Sequence, residues 1–201
     1  MKEALLHPFH KLKSWLESFA NKPHALVALF SFGFIEASFF PLSPDVLLVA
    51  LGVTKPRRAV YYSLLVVAGS TAGAFLGYYI GYALYESIGS GIVQFLGVES
   101  KFQSLLTEYR LNAWIALLFA GFTSIPFMVF TIAAGCNATV EPLTLLLAAL
   151  CGRLIRFVPL GGLLYLFGPR VKSYFDRYFG RTILILGLVV IMMLIAAERF
   201  L

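Results

Sequence analysis

The stretch ALVALFSFGFIEASFFPLSPD, residues 25–45, decides how the chain is read. A largely apolar run of eleven residues leads to Glu36; Pro41 and Pro44 then break it, and Asp45 follows directly. Proline has no amide proton and disfavours helix in the residue before it. Inside lipid such a break survives only where protein or a wet cavity satisfies the freed backbone. A helical arm starting at Ala25 would carry Glu36 roughly 16 Å deep at about 1.5 Å per residue, near the middle of a bilayer's hydrocarbon. Ser43 followed by Pro44 reads as a cap with proline in the first helical position. Asp45 then falls in the first turn of a returning half-helix, where the helix dipole favours negative charge.

Composition places this stretch in an integral membrane protein. Of 201 residues, 60% are hydrophobic and 13% charged, with a mean hydropathy of +0.85; soluble domains run near 45–50% apolar and about 25% charged. The net charge of +6 sits in short basic clusters between apolar runs, a pattern for anionic headgroups and positive-inside anchoring and not for nucleic acid. Cys136 and Cys151 support no disulfide framework and read as packing residues. No secretory signal peptide is expected, because residues 1–23 are amphipathic and lack a compact apolar core. The whole chain, 1–201, reads as one membrane domain.

Residues 1–22 place Leu5, Phe9, Leu12, Leu16 and Phe19 near a helical period opposite lysines, as in a helix lying on a membrane surface. Five apolar segments follow at 25–53, 60–85, 112–135, 143–168 and 182–198. The second, fourth and fifth are long enough to span. The first and third are interrupted, the third at Thr123, Ser124 and Pro126. Lys2, Lys11, Lys13 and Lys22 precede the first segment, and Lys55, Arg57 and Arg58 follow it. One crossing would put a basic cluster outside, and two would need about 40 residues where 29 are present. A re-entrant hairpin, 25–53, meets both constraints. Treated alike, 112–135 is a second hairpin entering from the opposite side, behind an interfacial segment at 90–111. Arg170, Lys172, Arg177 and Arg181 then mark 169–181 as a basic interfacial segment on the cytoplasmic face.

The expected fold is therefore all-α and integral to a membrane. Two inverted repeats, each a re-entrant hairpin plus a transmembrane helix, are joined by interfacial amphipathic helices and a C-terminal transmembrane helix, with the N-terminus cytoplasmic. Inverted repeats of broken helices are a transporter architecture; ordinary kinked helices are the plainer alternative. Gly69, Gly73, Gly77 and Gly81 form a stripe at a spacing of four that invites close helix packing, against the hairpins or against a second copy in a homodimer. Tyr78, Tyr79, Tyr82 and Tyr85 read as interfacial anchors. Ser100 and Gln103 read as a capping box opening an amphipathic helix with Phe102, Leu105, Leu106 and Tyr109 on its apolar face.

The chemistry concentrates in ionisable groups at mid-depth. Arg153 and Arg156, three residues apart, share a helical face. Guanidinium groups suit phosphate or carboxylate. Together with Glu36, Asp45, Ser43, Thr123 and Ser124, and with the half-helix starts after Pro44 and Pro126, they form a candidate site for a phosphate headgroup. The plainer reading pairs two acids with two arginines to neutralise the interior, and both hold if substrate displaces a resting ion pair. His7, His10 and His24 suggest no metal site, and no glycine-rich phosphate loop follows a strand. No enzyme chemistry and no cofactor are expected.

Phe32-x3-Glu36 running on to Pro44-Asp45, Gly69-x3-Gly73-x3-Gly77 with Tyr79 and Gly81, Ile125-Pro126 running on to Ala134-Gly135, and Gly152-Arg153-x2-Arg156 together resemble the DedA family, also called the SNARE-associated or VTT-domain family, and most of all its smaller YqaA-type members. The likeness covers about residues 25–170. It implies paired re-entrant hairpins and movement of phospholipid or polyprenyl phosphate across a bilayer, with acids at the first hairpin and nearby arginines important and the proton motive force often involved. Many members carry arginines on either side of the second hairpin's proline; here Thr123, Val129 and Phe130 are uncharged, which leaves that task to Arg153 and Arg156. The function expected is that of a flippase or scramblase in a bacterial or archaeal cytoplasmic membrane. Its partners would be membrane lipids, anionic inner-leaflet lipid at the basic segments, and protons. The alternatives are a proton-coupled transporter of a small ion or solute and a non-transporting scaffold.

Overall fold

The computed structural model describes residues 24–120, 126–137 and 140–168, together with Ser18, Lys22 and Arg170. The expected surface helix at 1–22, Thr123 and Ser124, the basic segment 169–181 and the last span at 182–198 lie outside the described residues, apart from these isolated positions. Every regular element described is helical. The order is α1 (His24–Ser38), α2 (Asp45–Thr54), a 3₁₀ turn (Pro56–Arg58), α3 (Ala59–Ala83), a wide turn (Tyr85–Gly89), α4 (Ser90–Phe95), α5 (Glu99–Ala120), α6 (Phe127–Cys136) and α7 (Pro142–Gly168).

Two helical stretches, Pro56–Ala83 and Pro142–Gly168, are long and apolar enough to cross a membrane. At about 1.5 Å per residue each exceeds a roughly 30 Å hydrocarbon core. The helices α1, α2 and α6, of 15, 10 and 10 residues, are too short to do so. The break between α1 and α2 is built locally. Ser38 Oγ donates back to Phe34 O at 2.6 Å, and the amides of Phe39 and Phe40 both fall on Ile35 O at 3.1 Å. Pro41 and Pro44 have no amide to continue the ladder. Past the break, Leu48 and Leu51 of α2 share one apolar cluster with Ala25 and Leu29 of α1, Tyr62 and Val66 of α3, and Phe157 of α7.

The glycine stripe of α3 packs within this chain. A Cβ at Gly69 or Gly73 would strike the α1 carbonyls of Phe30 and Phe34; at Gly77 it would meet Ala37 O at 2.8 Å and the Thr131 hydroxyl, and at Gly81 the carbonyl of Ile132 in α6. Gly33 of α1 and Gly135 of α6 answer from the other side, against the carbonyls of Val66 (2.6 Å) and Tyr78. One seam therefore carries α1 along α3 as far as Gly77 and hands over to α6 between Gly77 and Gly81. The helix α7 runs antiparallel to α3: Gly161 abuts Ser63 and Ala59, and Gly168 abuts Pro56.

Because α6 is apolar on all sides, it must be a core helix, and all residues from Phe127 to Gly135 are buried. Two hydrogen bonds tie it to α5. Tyr109 donates its hydroxyl to Phe130 O (2.8 Å), and just past its end Asn137 Nδ2 donates to Leu106 O (2.9 Å).

Three local expectations change. The capping box at Ser100 and Gln103 does not form. Gly97, at φ +62°, closes α4 in the left-handed region and lets α5 start earlier, with Val98 O accepting Phe102 N (2.8 Å) and Ser100 already inside the helix. The face carrying Phe102 and Tyr109, expected to be free for a membrane surface, is buried against protein, where the α6 core recruits it. Of the four tyrosines, Tyr79 and Tyr82 are exposed, whereas Tyr78 bonds Val140 O (2.9 Å) and Tyr85 stacks on Phe102 at 5.5 Å. The boundary expected near 111/112 is present as a break inside α5: Asn112 is extended (φ −162°, ψ 90°), and its Oδ1 accepts Ile115 N at 3.1 Å as a cap on the second half.

Replacing Gly73 by leucine forces a side chain onto the Phe34 backbone, which cannot swing aside. The expected cost is at least the roughly 1–3 kcal/mol of overpacking, read as a lower unfolding temperature in detergent. Gly91→Ala, where a Cβ meets nothing within 4 Å, is the matched control and should not lower that temperature, since alanine favours a helix over glycine.

Candidate functional site: two acid–arginine pairs at the helix ends

Glu36 lies in the last turn of α1, the negative end of that helix's dipole, and is 8% exposed. A carboxylate is unfavourable there unless other charges offset it. Two do. Phe127 N, the first amide of α6, donates to Glu36 Oε1 at 3.1 Å. Arg153 Nη2 lies 3.0 Å from Oε2 and donates to Oε1 at 3.4 Å. Pro126, the residue before α6, is extended and offers no side-chain cap, so a carboxylate from 91 residues earlier takes its place. The contact is reciprocal: Thr131 of α6 donates its hydroxyl to Ala37 O at the end of α1, at 2.8 Å.

Arg153 is 1% exposed in the middle of α7. Its guanidinium stacks over the Phe127 ring at 3.8 Å and stands 5.7 Å from the Phe157 ring. Its Nε and Nη1 have no hydrogen-bond partner among the described residues.

One turn further along α7, Arg156 Nη2 donates to Asp45 Oδ2 at 2.9 Å. Asp45 stands in the first turn of α2 as expected, one position after the cap residue Pro44. Ser43 Oγ donates to the same Oδ2 at 2.7 Å and accepts Asp45 N at 3.4 Å, so Ser43 serves as a cap displaced by one residue. The side chains of Arg156 and Asp45 are 33% and 31% exposed, against 1% and 10% for Arg153 and Glu36. That difference sets their worth. Unpairing a buried charge costs about 3–5 kcal/mol; opening the pair that is one-third exposed costs less, because the groups left behind are not sealed in.

The structure thus brings Glu36, Asp45, Ser43, Arg153 and Arg156 to the meeting of α1, α2, α6 and α7, beside the breaks at Pro41, Pro44 and Pro126. Gly69, Gly73, Gly77 and Gly81 lie on the seam that presses α1 and α6 against α3. Sequence reasoning missed Phe127, whose amide and ring serve Glu36 and Arg153, and Thr131, which closes the end of α1. A lone hydroxyl in the apolar run FMVFTIAAGC, residues 127–136, was the available signal for Thr131. Among the described residues no cluster of metal-ligating side chains occurs.

The two pairs should separate in stability. Arg153→Ala is expected to cost about 3–5 kcal/mol by leaving Glu36 buried and unpaired, and Arg156→Ala clearly less, since the Asp45 it leaves behind is one-third exposed. Unfolding of both variants in the same detergent checks this; equal losses would erase the distinction between a sealed and an open pair.

No family model matches the chain, and no solved structure matches it. A 102-residue stretch, 51% of the chain, is 34% identical to a protein of Haemophilus influenzae named "Uncharacterized protein" and covers 53% of it, so the match spans about half the length of that relative. Over 190 residues the chain is 30% identical to the "Uncharacterized protein HI0703 homolog" of Histophilus somni, covering 92% of this chain and 96% of that one. With that identity sustained over nearly both whole lengths, the chain belongs to the family of the HI0703 homolog.

Proposed function

We propose that the chain is a membrane lipid transporter of the DedA kind, a flippase or scramblase. The phosphate headgroup of a phospholipid or polyprenyl phosphate passes along Glu36, Asp45, Arg153 and Arg156 while its hydrocarbon tails stay in the bilayer. One observation carries this reading: two acid–arginine pairs, one of them partly open, stand at the ends of broken helices inside an otherwise apolar body. Ion pairs that served only to hold helices together would be costly choices, since well-packed apolar residues do as well or better. Charges that meet a moving anion have a use that explains their retention.

The setting supports a bilayer. Tyr61, Leu64 and Phe75 on α3 and Ile155, Leu163 and Leu166 on α7 are exposed, an apolar exterior suited to lipid. The start of α3, with Arg57 and Arg58 just before it, lies beside the end of α7, since Pro56 touches Gly168. Arg170 follows that end, so these basic residues gather at one end of the two long helices, as the positive-inside tendency requires of a cytoplasmic face. On this reading α1 and α2 are the arms of one re-entrant hairpin. The second half of α5 and α6 form the other, and α3 and α7 span the cytoplasmic membrane of a bacterium or archaeon.

Purified protein in liposomes carrying a fluorescent phospholipid, or a labelled polyprenyl phosphate, tests the proposal. Headgroup translocation above that of empty vesicles is expected, with Arg156→Ala reducing it at least about tenfold, a 1.4 kcal/mol effect, while its unfolding temperature stays near that of the parent. No translocation of any of these lipids would sink the transport reading. Currents evoked by a pH step and indifferent to lipid composition would instead favour proton-coupled solute transport. Loss of transport only in parallel with loss of stability would favour a scaffold.

A further inference from the structure

We infer that Asp45 is a built-in stand-in for the ligand's phosphate: it occupies Arg156 at rest, and an incoming phosphate ester replaces it there and reaches the unpartnered donors of Arg153. The inference deepens the headgroup reading above and rests on it. It names the exchanging pair, the ligand group and the residue that competes with it.

The two pairs are built for different fates. Glu36 cannot leave its place without uncapping α6 and stranding Arg153, so that pair is sealed into the junction of three helices. Asp45 is tied within its own turn to Ser43 and across to Arg156, and both partners of the ion pair are about one-third exposed. An anion arriving from outside meets this pair first and can exchange with it while the α1–α6–α7 junction stays intact. The displaced carboxylate keeps the Ser43 hydroxyl and its place in the first turn of α2, where the helix dipole still favours it.

A second, independent observation points to a ligand. Arg153, one turn before Arg156 on the same face of α7, is 1% exposed and holds Nε and Nη1 without a partner among the described residues. Buried polar atoms are nearly always satisfied, and orphaned donors on a charged group call for an explanation. The Asp45 carboxylate already spends one oxygen on both Arg156 and Ser43. A phosphate ester, with more acceptor oxygens, can take over Arg156 and answer Arg153 as well. Asp45 is then an internal competitor, and removing its charge should tighten the ligand rather than loosen it.

The test uses the full chain in a neutral detergent, with unfolding temperature followed against dihexanoyl phosphatidic acid, dihexanoyl phosphatidylcholine and inorganic phosphate. Phosphatidic acid should raise the unfolding temperature of the parent protein. Asp45→Asn should shift that response to about tenfold lower concentration, and Arg156→Gln should abolish it. If Asp45→Asn does not fold, Asp45→Ser, which keeps a small polar group at the start of α2, repeats the measurement. An inorganic phosphate response equal to that of phosphatidic acid assigns the site to free phosphate; a response to the lipid alone assigns it to a headgroup. A phosphatidylcholine response of the same strength shows that a phosphodiester suffices. The inference falls if the uncharged variants at position 45 bind phosphatidic acid no more tightly than the parent, if Arg156→Gln keeps the full response, or if no variant responds. Tightening in a protein that moves no lipid in vesicles would leave Asp45 as a stand-in and sink transport. Lipid movement with unchanged binding in Asp45→Asn would do the reverse.

Discussion

The carboxylate of Glu36 is where the ends of two short helices and the middle of a long one are reconciled. It sits at the negative end of α1, a position that would repel it, and is held there by the first amide of α6 and by the guanidinium of Arg153. Each partner depends on the others. Without the carboxylate, α6 begins among apolar side chains with an uncapped amide, and Arg153 is a buried cation without a counter-charge. The Thr131 hydroxyl on Ala37 O closes the same junction from the other side, so α1 and α6 each satisfy the other's end. Phe127 joins the backbone and ring sides of this arrangement, its amide on Glu36 and its ring beneath Arg153.

Such a junction requires helix ends to meet inside the molecule, and the glycine seam makes that meeting possible. With Gly69, Gly73, Gly77 and Gly81 on α3 and Gly33 and Gly135 facing them, backbones approach until a Cβ would collide with the opposite carbonyl. The two short helices α1 and α6 share one long support, the first as far as Gly77 and the second from Gly77 onward. Their facing ends are then brought together over the same turn of α3, near Gly77, which touches both Ala37 and Thr131. A larger residue on the seam would push these ends apart and leave the charges of the site unpaired.

The inequality of the two pairs is the feature that bears on function. On the function proposed above, a sealed pair and an open pair one turn apart on α7 divide two tasks that a single pair would have to combine: holding the broken helices together and meeting an anion from outside. On the reading proposed here, the molecule can exchange the Asp45–Arg156 contact repeatedly because the Glu36–Arg153 contact bears the structural cost. The same low-dielectric surroundings that make Glu36 expensive to unpair give Arg153's unused donors their pull on an acceptor.

The sequence by itself determined the helical class, the two long apolar stretches, the breaks at Pro41, Pro44 and Pro126, the glycine stripe and the four ionisable residues. These are local properties: run length, missing amides, the period of a helix and the cost of charge among apolar neighbours are all visible within a few residues. Only the tertiary structure decided that Glu36 meets Arg153 and Asp45 meets Arg156, that one pair is sealed and the other open, that Phe127 and Thr131 complete the junction, and that the glycine stripe receives α1 and α6 of its own chain. Those outcomes depend on segments about a hundred residues apart lying side by side. An acid and an arginine attract whichever copy of the other is near, so no local pattern could choose the pairing. The start of α5 shows the same limit at short range: Gly97 entering the left-handed region overrode the capping signal at Ser100, because the helix starts where the preceding turn releases the chain.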